Sequence, residues 1–158
     1  MVAAKNKTKA TTKYTTKMID TAELKINLSS MNWDNRYPGA RVSINDVVIF
    51  EELVSDPVEI NWEGDIKDSN TLTIEMYNKK DGDTVIENNS IVNDVVLNID
   101  NIEIDDVETG TMLHVYSVYR PNGNDTPDVV TECVNLGWNG KWSIDFTSPT
   151  YIWFLENL

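Results

Sequence analysis

Residues 70–105 read NTLTIEMYNKKDGDTVIENNSIVNDVVLNIDNIEID, and this stretch decides the fold class. Its first part alternates, because apolar side chains from Leu72 to Met76 occupy every second position between polar residues. A period of two turns one face of a β-strand to a core and the other to water. After an acidic loop the alternation returns, but its phase changes near Asp100 and Asn101. A β-bulge there would keep the apolar side chains on one face, so we predict strand, loop and bulged strand.

The same alternation continues on both sides of this stretch. Further strands are predicted at residues 23–28, 40–44, 47–50, 58–63, 112–119, 129–134 and 141–146. About eight or nine strands separated by Asn, Asp, Gly and Pro indicate an all-β fold, a two-sheet antiparallel β-sandwich of the jelly-roll type. We expect a hairpin turn at Asn45–Asp46. A short C-terminal helix is expected from Pro149, with Ser148 as its N-cap.

Size and composition favour one folded domain. The chain has 158 residues, 41% of them hydrophobic, and at this length roughly 68–70% of the extended-chain surface is buried on folding. No run approaches the roughly 18 apolar residues of a membrane span, and no apolar segment follows the N-terminal lysines, so we expect neither a membrane nor a secretion signal. A single cysteine excludes an intrachain disulfide. We interpret Cys133 as a small buried residue and His114 as a partly buried structural histidine.

Charge is divided sharply along the chain. The first 17 residues carry no acid and five lysines: Lys5, Lys7, Lys9, Lys13 and Lys17. The other 141 residues hold eight basic and 26 acidic side chains, a net charge of −18. We therefore divide the chain into a basic extended arm, residues 1–20, and a β-sandwich domain, residues 21–158. The arm has three interpretations: an anchor on an acidic neighbouring subunit, a solvated tail, or a nucleic-acid contact, which the acidic domain makes unfavourable.

The loop of residues 78–89 contains candidate metal ligands. Asp81 and Asp83 flank a glycine, and carboxylate oxygens in a flexible loop suit calcium, which takes about six to eight of them. The spacing is not that of an EF-hand, and the two preceding lysines would repel a cation. Two interpretations stand: a calcium loop that uses Asp81 and Asp83, or a solvated hairpin loop. Calcium is the one cofactor that these residues suggest.

Motifs for catalysis are missing from the sequence. The 26 carboxylates give no means of selecting the acid and base pair of a glycosidase. The sequence contains neither the G-x-S-x-G motif of serine hydrolases nor a glycine-rich phosphate loop. We therefore expect a protein that is not an enzyme.

Aromatic residues offer binding surfaces instead. Trp33 and Tyr37 stand beside Asp, Asn and Arg in a loop between strands, a combination that suits structural packing, a subunit interface or a sugar-binding platform. The tail of residues 148–158 is too apolar to be free in water, so it must cover the sandwich or another subunit. We assign Trp153 and Phe154, with the lysines of the arm, to partner binding. Trp138, Trp142 and Trp153 are predicted to be core residues, so Trp153 has two interpretations, core packing and partner binding.

Two segments carry a resemblance to a known group of proteins. NTLTIEMYNKKDGDT (residues 70–84) and LGWNGKWSIDFTSPTYIWFLENL (residues 136–158) resemble parts of small β-sandwich structural proteins of tailed bacteriophages. The resemblance extends over residues 23–158 and omits the arm. Those phage domains in turn resemble calcium-dependent xylan-binding carbohydrate-binding modules, so the resemblance implies a sandwich that is either jelly-roll or carbohydrate-binding-module-like. If a metal site carries over, Asp81 and Asp83 are the positions that match.

The resemblance implies a virion part, a capsid decoration protein or a neck or tail component, made in the host cytoplasm. We therefore predict a non-enzymatic structural protein that docks on other virion subunits within an oligomeric assembly. The alternative is a calcium-dependent carbohydrate-binding module that attaches to glycans, with Trp33 and Tyr37 as its platform.

Overall fold

A computed structural model describes residues 18–158. Within them the chain forms two antiparallel sheets, a separate small hairpin and two short helices. The five lysines of the predicted arm lie outside the described residues, and their role stays a prediction. Neither described helix is long and apolar enough to cross a membrane.

The strands and helices follow one another in this order: β1 (Asp20–Met31), β2 (Gly39–Ile44), β3 (Val47–Leu53), β4 (Val58–Ile66), β5 (Ser69–Tyr77), β6 (Val85–Glu87), β7 (Ser90–Asn93), β8 (Val96–Ile104), β9 (Val107–Glu108), α1 (Met112–Tyr116), β10 (Val118–Pro121), β11 (Val130–Thr131), β12 (Asn135–Leu136), β13 (Gly140–Thr147) and α2 (Thr150–Asn157).

The two sheets confirm the predicted sandwich. One sheet has the order β12-β8-β1-β4, with β9 paired to β8, and the other has the order β11-β10-β13-β5-β2-β3. Strands β6 and β7 form the hairpin. Between the sheets lies one core, whose largest fully buried side chains include Trp142, Tyr119 and Phe146. Each such side chain contributes about 1.5–3 kcal/mol through removal from water.

A bulge in β8 accounts for the change of phase in the sequence. Along the β1–β8 pairing, Asn27 lies opposite Asn101 and Leu28 lies opposite Ile99, so Asp100 is the extra residue. Its carboxylate accepts a hydrogen bond from Ser29 Oγ at 3.0 Å. Because one residue is inserted, the isoleucines on both sides of Asp100 remain buried. The predicted bulge is confirmed.

Two predicted strands are wrong in part. Residues 112–119 form the short helix α1 followed by β10, and the adjacent residues Met112 and Leu113 of this helix are both buried. His114 lies on the exposed side of this helix and is not partly buried as expected. Of residues 129–134 only two form strand, and Cys133 there is partly rather than fully buried.

The C-terminal helix is confirmed one residue later than predicted. Helix α2 begins at Thr150, and Pro149 rather than Ser148 occupies the N-cap position. Ser148 instead donates its hydroxyl hydrogen to Asp20 Oδ2 at the start of β1. This bond places α2 beside the point where the described chain begins.

The turn between β2 and β3 has the geometry of a tight hairpin. Asn45 and Asp46 both have positive φ, 48° and 67°, as a type I′ turn requires. The Asn45 side chain also accepts a hydrogen bond from Thr71 N at 2.9 Å and donates one to Asn70 Oδ1 at 2.8 Å. The two turn residues therefore differ in what their side chains contribute.

Asp46→Gly should raise the free energy of unfolding by about 0.5 kcal/mol, because glycine adopts positive φ without a steric penalty. Asn45→Gly should lower it by about 1–2 kcal/mol, because Thr71 N loses its acceptor. Urea unfolding of both variants checks this pair. Equal effects of the two substitutions on the free energy of unfolding would contradict the role given to the Asn45 side chain.

Candidate functional site

One end of the sandwich gathers polar loops around Trp138. Its indole is 42% exposed, although the other tryptophans of the C-terminal block, Trp142 and Trp153, are buried. The backbone around it is fixed, since Trp138 N donates to Tyr119 Oη at 3.0 Å and the Tyr119 hydroxyl donates to Trp138 O. Burial raises the pKa of Tyr119 to about 12, so this hydroxyl keeps its proton at neutral pH. The result is an exposed ring on an immobilised stretch of chain.

Lys79 connects this stretch to the loop that follows β5. Its backbone N–H donates to Asn139 Oδ1 and its carbonyl accepts from Asn139 Nδ2, both at 2.9 Å. Its ammonium donates to Gly137 O at 2.6 Å and to Asp94 Oδ1 at 2.7 Å. The residues on both sides of Trp138 are thus bound to one lysine.

Trp138 forms one wall of a groove, which we call the Trp138 groove. Its volume is about 350 Å³. The lining residues are Lys79, Lys80, Asp81, Gly82, Thr84, Asn122, Gly123, Thr126, Trp138 and Asn139. An apolar ring beside hydroxyl, amide and carboxylate groups can stack on one face of a small polar molecule and hydrogen bond to its edges.

A second groove lies on the other side of the Lys80–Asp81 turn. Its volume is about 320 Å³, and its walls are Asn35, Arg36, Tyr37, Leu53, Asn78, Lys80, Asp81 and Asp83. Tyr37 is half-buried there, and its hydroxyl donates to Asn35 Oδ1 at 3.1 Å. Of the two residues predicted as a sugar platform, Tyr37 therefore lines a groove.

Trp33 serves the structure of the loop. The guanidinium of Arg36 lies 4.9 Å from the centre of its ring, and the indole N–H donates to Asp83 O at 2.7 Å. A cation–π contact and a satisfied N–H leave this ring little to offer a ligand. Trp33 and Tyr37 thus do not form one joint platform.

Asp83 is the buried ionic centre of these loops, with 3% of its surface exposed. Its Oδ1 accepts from Arg36 Nη1 at 2.8 Å, and its Oδ2 accepts from the backbone N–H of Lys80 at 2.8 Å. Burial acts to raise the pKa of Asp83, but these two hydrogen bonds and the charges of Arg36 and Lys79 outweigh it, so the pKa lies below its ordinary value. Asp83 therefore holds two loops together as a carboxylate.

The residues predicted as calcium ligands do not form a ligand set. Both oxygens of Asp83 are taken by Arg36 and Lys80, whereas Asp81 lies exposed at the junction of the two grooves. Across residues 18–158, no three His, Cys, Asp or Glu side chains are grouped so that they could hold a metal ion. Because calcium takes about six to eight oxygens, the residues present do not fit it.

The opposite end of the sandwich is apolar. Trp153 and Phe154 are only 6% and 4% exposed, and the ring of Trp153 packs edge-on against Phe146 at 6.2 Å between centres. The two predicted partner-binding rings therefore cover the core of their own chain. The exposed apolar side chains at this end are others: Tyr151, Ile152 and Leu155 on α2, Leu158 directly after it, and Met18 and Ile19 before β1. We call these six residues the apolar end.

The interpretation of Trp138 as a core residue is wrong. It lies in the loop before β13, which begins only at Gly140. A Cβ built on Gly140 would lie 2.4 Å from Arg120 O, so the chain passes tightly beside β10 here. The flanking glycines in Gly137-Trp138-Asn139-Gly140 are the signal that could have marked a loop.

Comparison with known proteins defines the class of fold. Two structures of the carbohydrate-binding module vCBM60 are similar to this chain. The complex with galactobiose has a TM-score of 0.51 and 10% identity, and covers 77% of this chain and 96% of the module. The second, from a study of two families of calcium-dependent carbohydrate-binding modules, has a TM-score of 0.51 and 9% identity, and covers 78% and 89%. The likeness shows a fold of the carbohydrate-binding-module type. No protein-family model and no curated protein sequence matches the chain.

Arg36→Met should lower the free energy of unfolding at pH 7 by roughly 1–2 kcal/mol, since Asp83 loses a charged partner that is itself partly exposed. A carboxylate with a depressed pKa stabilises the fold above its unfolded pKa, and this contribution is lost as the pH falls through the folded pKa. The difference from wild type should therefore shrink below about pH 4.

Chemical unfolding at pH 7 and at pH 2.5 measures this difference. Arg120→Met is the matched control, because Arg120 is exposed and lies on β10. A constant difference at both pH values would show that Arg36 acts through packing alone.

Proposed function

We propose that this protein is a non-catalytic module that binds a glycan in the Trp138 groove. The observation that carries the proposal is the exposed indole of Trp138 on a backbone fixed by Tyr119. Water-exposed tryptophan normally costs free energy, and a rigid backbone beneath it reduces the ordering cost of binding. A pyranose ring offers an apolar C–H face for such an indole.

The rest of the groove complements the hydroxyl groups of a sugar. Asp81 accepts hydrogen bonds, and Asn122 and Thr126 both donate and accept them around the same groove. The groove is open and about 350 Å³ in volume, which suits a short run of sugar units on a chain rather than an enclosed small molecule. Further support comes from vCBM60, which has the same type of fold and was solved with galactobiose.

Trp138→Ala should lower the affinity for the bound polysaccharide at least tenfold while the thermal unfolding temperature changes little, because the lost ring is exposed. The measurement is affinity electrophoresis in galactan and xylan gels, followed by calorimetry with galactobiose. A double variant in α2, Tyr151→Ser with Leu155→Ser, is the matched control. It removes exposed apolar surface from the other end of β13, about 25 Å away at 3.3 Å per residue.

Binding that is the same for Trp138→Ala and wild type would exclude the Trp138 groove as the site. Absence of retardation in every polysaccharide would argue against a glycan-binding function. Loss of binding in the α2 variant alone would move the site to the opposite end of the sandwich.

Docking on other subunits of a bacteriophage virion, as a capsid decoration or a neck or tail component, is the second candidate function. The apolar end favours it, because six exposed apolar residues at one end of a sandwich are unfavourable in water and suit a protein interface. In sequence, the lysines of the predicted basic arm come directly before Met18, which belongs to the apolar end. The two candidates use opposite ends of the molecule and are compatible.

The α2 double variant should reduce incorporation into purified particles several-fold, because it replaces two exposed apolar contacts by hydroxyl groups. Trp138→Ala serves as the reciprocal control and should be incorporated normally. Quantitative mass spectrometry of the particles measures both. Normal incorporation of the α2 variant would exclude the apolar end as the docking surface.

A further inference from the structure

We propose that the ammonium group of Lys79 is the resident cation of the Trp138 groove, so that this protein holds the groove in shape and binds its ligand without calcium. The part of this inference that concerns ligand binding rests on the proposed function. The part that concerns the structure of the groove stands on the geometry of Lys79 and Asp94.

The surroundings of Lys79 Nζ are those of a bound cation. Asp94 Oδ1 and Gly137 O lie 2.7 and 2.6 Å from it, and the side chains of Lys79 and Asp94 are each only 13% exposed. The same Asp94 oxygen also accepts from Thr84 Oγ1 at 2.7 Å and from Val95 N at 2.8 Å. A carboxylate oxygen that receives three hydrogen bonds is fully committed to this arrangement.

Lys79 and its partner Asp94 thereby join three segments of the chain. Lys79 and Thr84 lie in the loop between β5 and β6, Asp94 precedes β8, and Gly137 follows β12. A metal ion at the end of a sandwich would join loops in the same way, by collecting oxygens from several of them. An ammonium performs this task with fewer oxygens, because it carries one charge and only three donor hydrogens.

The carboxylate of Asp83 is also neutralised by a cationic side chain of this chain. Asp83 is paired with Arg36, so the two most buried carboxylates beside the grooves each have a cationic side chain of this chain as partner. A calcium ion would have to expel an arginine or a lysine from an established ion pair before it reached these oxygens. The positive charge beside these oxygens is therefore supplied by an arginine and a lysine of the chain itself.

Lys79 affects ligand binding through the position of the Trp138 ring. Gly137 O is bound by the ammonium of Lys79, and Asn139 is bound by its backbone, so the residues on both sides of the indole depend on Lys79. Lys79 is thus a positioning residue for the ring. Removal of its charge should disturb the ring even when no ligand is present.

Thermal unfolding of the wild-type chain in EDTA and in 1 mM calcium chloride tests whether the fold is independent of calcium. A calcium site at 100 times its dissociation constant would raise the unfolding temperature by roughly 5–10 °C in a domain of this size. We expect a change below about 1 °C, which is small against that linkage effect. A rise of several degrees with calcium would overturn the inference whether or not a glycan binds.

Lys79→Met tests whether the Lys79 ammonium holds the groove in shape. It should lower the unfolding temperature by about 5–10 °C, because the largely buried Asp94 loses its cation. Lys141→Met, an exposed lysine on β13, is the matched control and should change it by less than about 2 °C. Asp94→Asn alone and combined with Lys79→Met completes a double-mutant cycle, in which the combined loss should be smaller than the sum of the single losses. Additive losses would overturn the role assigned to the ion pair.

A spectroscopic readout separates positioning from general stability. The near-ultraviolet circular dichroism difference between wild type and Trp138→Phe isolates the signal of this indole. That signal should be unchanged in EDTA and reduced in Lys79→Met at temperatures where both proteins are folded. An indole signal that EDTA abolishes, or that Lys79→Met leaves intact, would overturn the inference.

Galactobiose affinity is measured last, in EDTA and in calcium. Equal affinity in both is expected, and a chelator-sensitive affinity would overturn the calcium independence. If galactobiose and the polysaccharides do not bind at all, the proposed function fails, whereas the unfolding and dichroism results still decide the role of Lys79.

Discussion

Burial of the apolar side chains between the two sheets depends on one inserted residue in β8. The isoleucines before and after Asp100 differ in parity, and a regular strand would turn one set of them to water. The bulge brings Ile99 and Ile102 to the same side and keeps β8 paired with β1 along its whole length. Because β1 lies between β8 and β4, this register decides which side chains of β8 reach the core.

The sheets then place loops at two ends of unlike chemistry. Strand β13 runs from the Trp138 groove at one end to α2 at the other, so the polar and the apolar surfaces are held apart by a rigid element. At the polar end the loops have little apolar area of their own, and ion pairs and hydrogen bonds hold them. Among the ion pairs of residues 18–158, those of Asp83 with Arg36 and of Asp94 with Lys79 have the carboxylates least exposed to water.

Such pairs are costly unless both members are present, because a buried charge without a partner loses its hydration without compensation. This makes the polar end sensitive to single substitutions, although the core beneath it is large. In this chain the carboxylate oxygens of Asp83 and Asp94 are paired with the side chains of Arg36 and Lys79.

The sequence by itself determined the class of fold, the bulge, the hairpin turn at Asn45–Asp46 and the terminal helix. Each follows from a pattern within a few residues: apolar parity, a change of that parity, or turn and helix-start residues. Helix α1 was not predicted, because a five-residue helix contains too few turns to show a helical period in the sequence.

Only the tertiary structure decided which tryptophan faces the solvent and which charges meet. Lys79 lies 58 residues from Gly137 and 15 from Asp94, and Tyr119 lies 19 residues from Trp138. Hydrogen bonds over such separations leave no local period in the sequence, because they depend on how the strands are ordered in the sheets. For the same reason the local sequence suggested Asp83 as a metal ligand. In the folded chain its partner is Arg36, which lies 47 residues away in sequence.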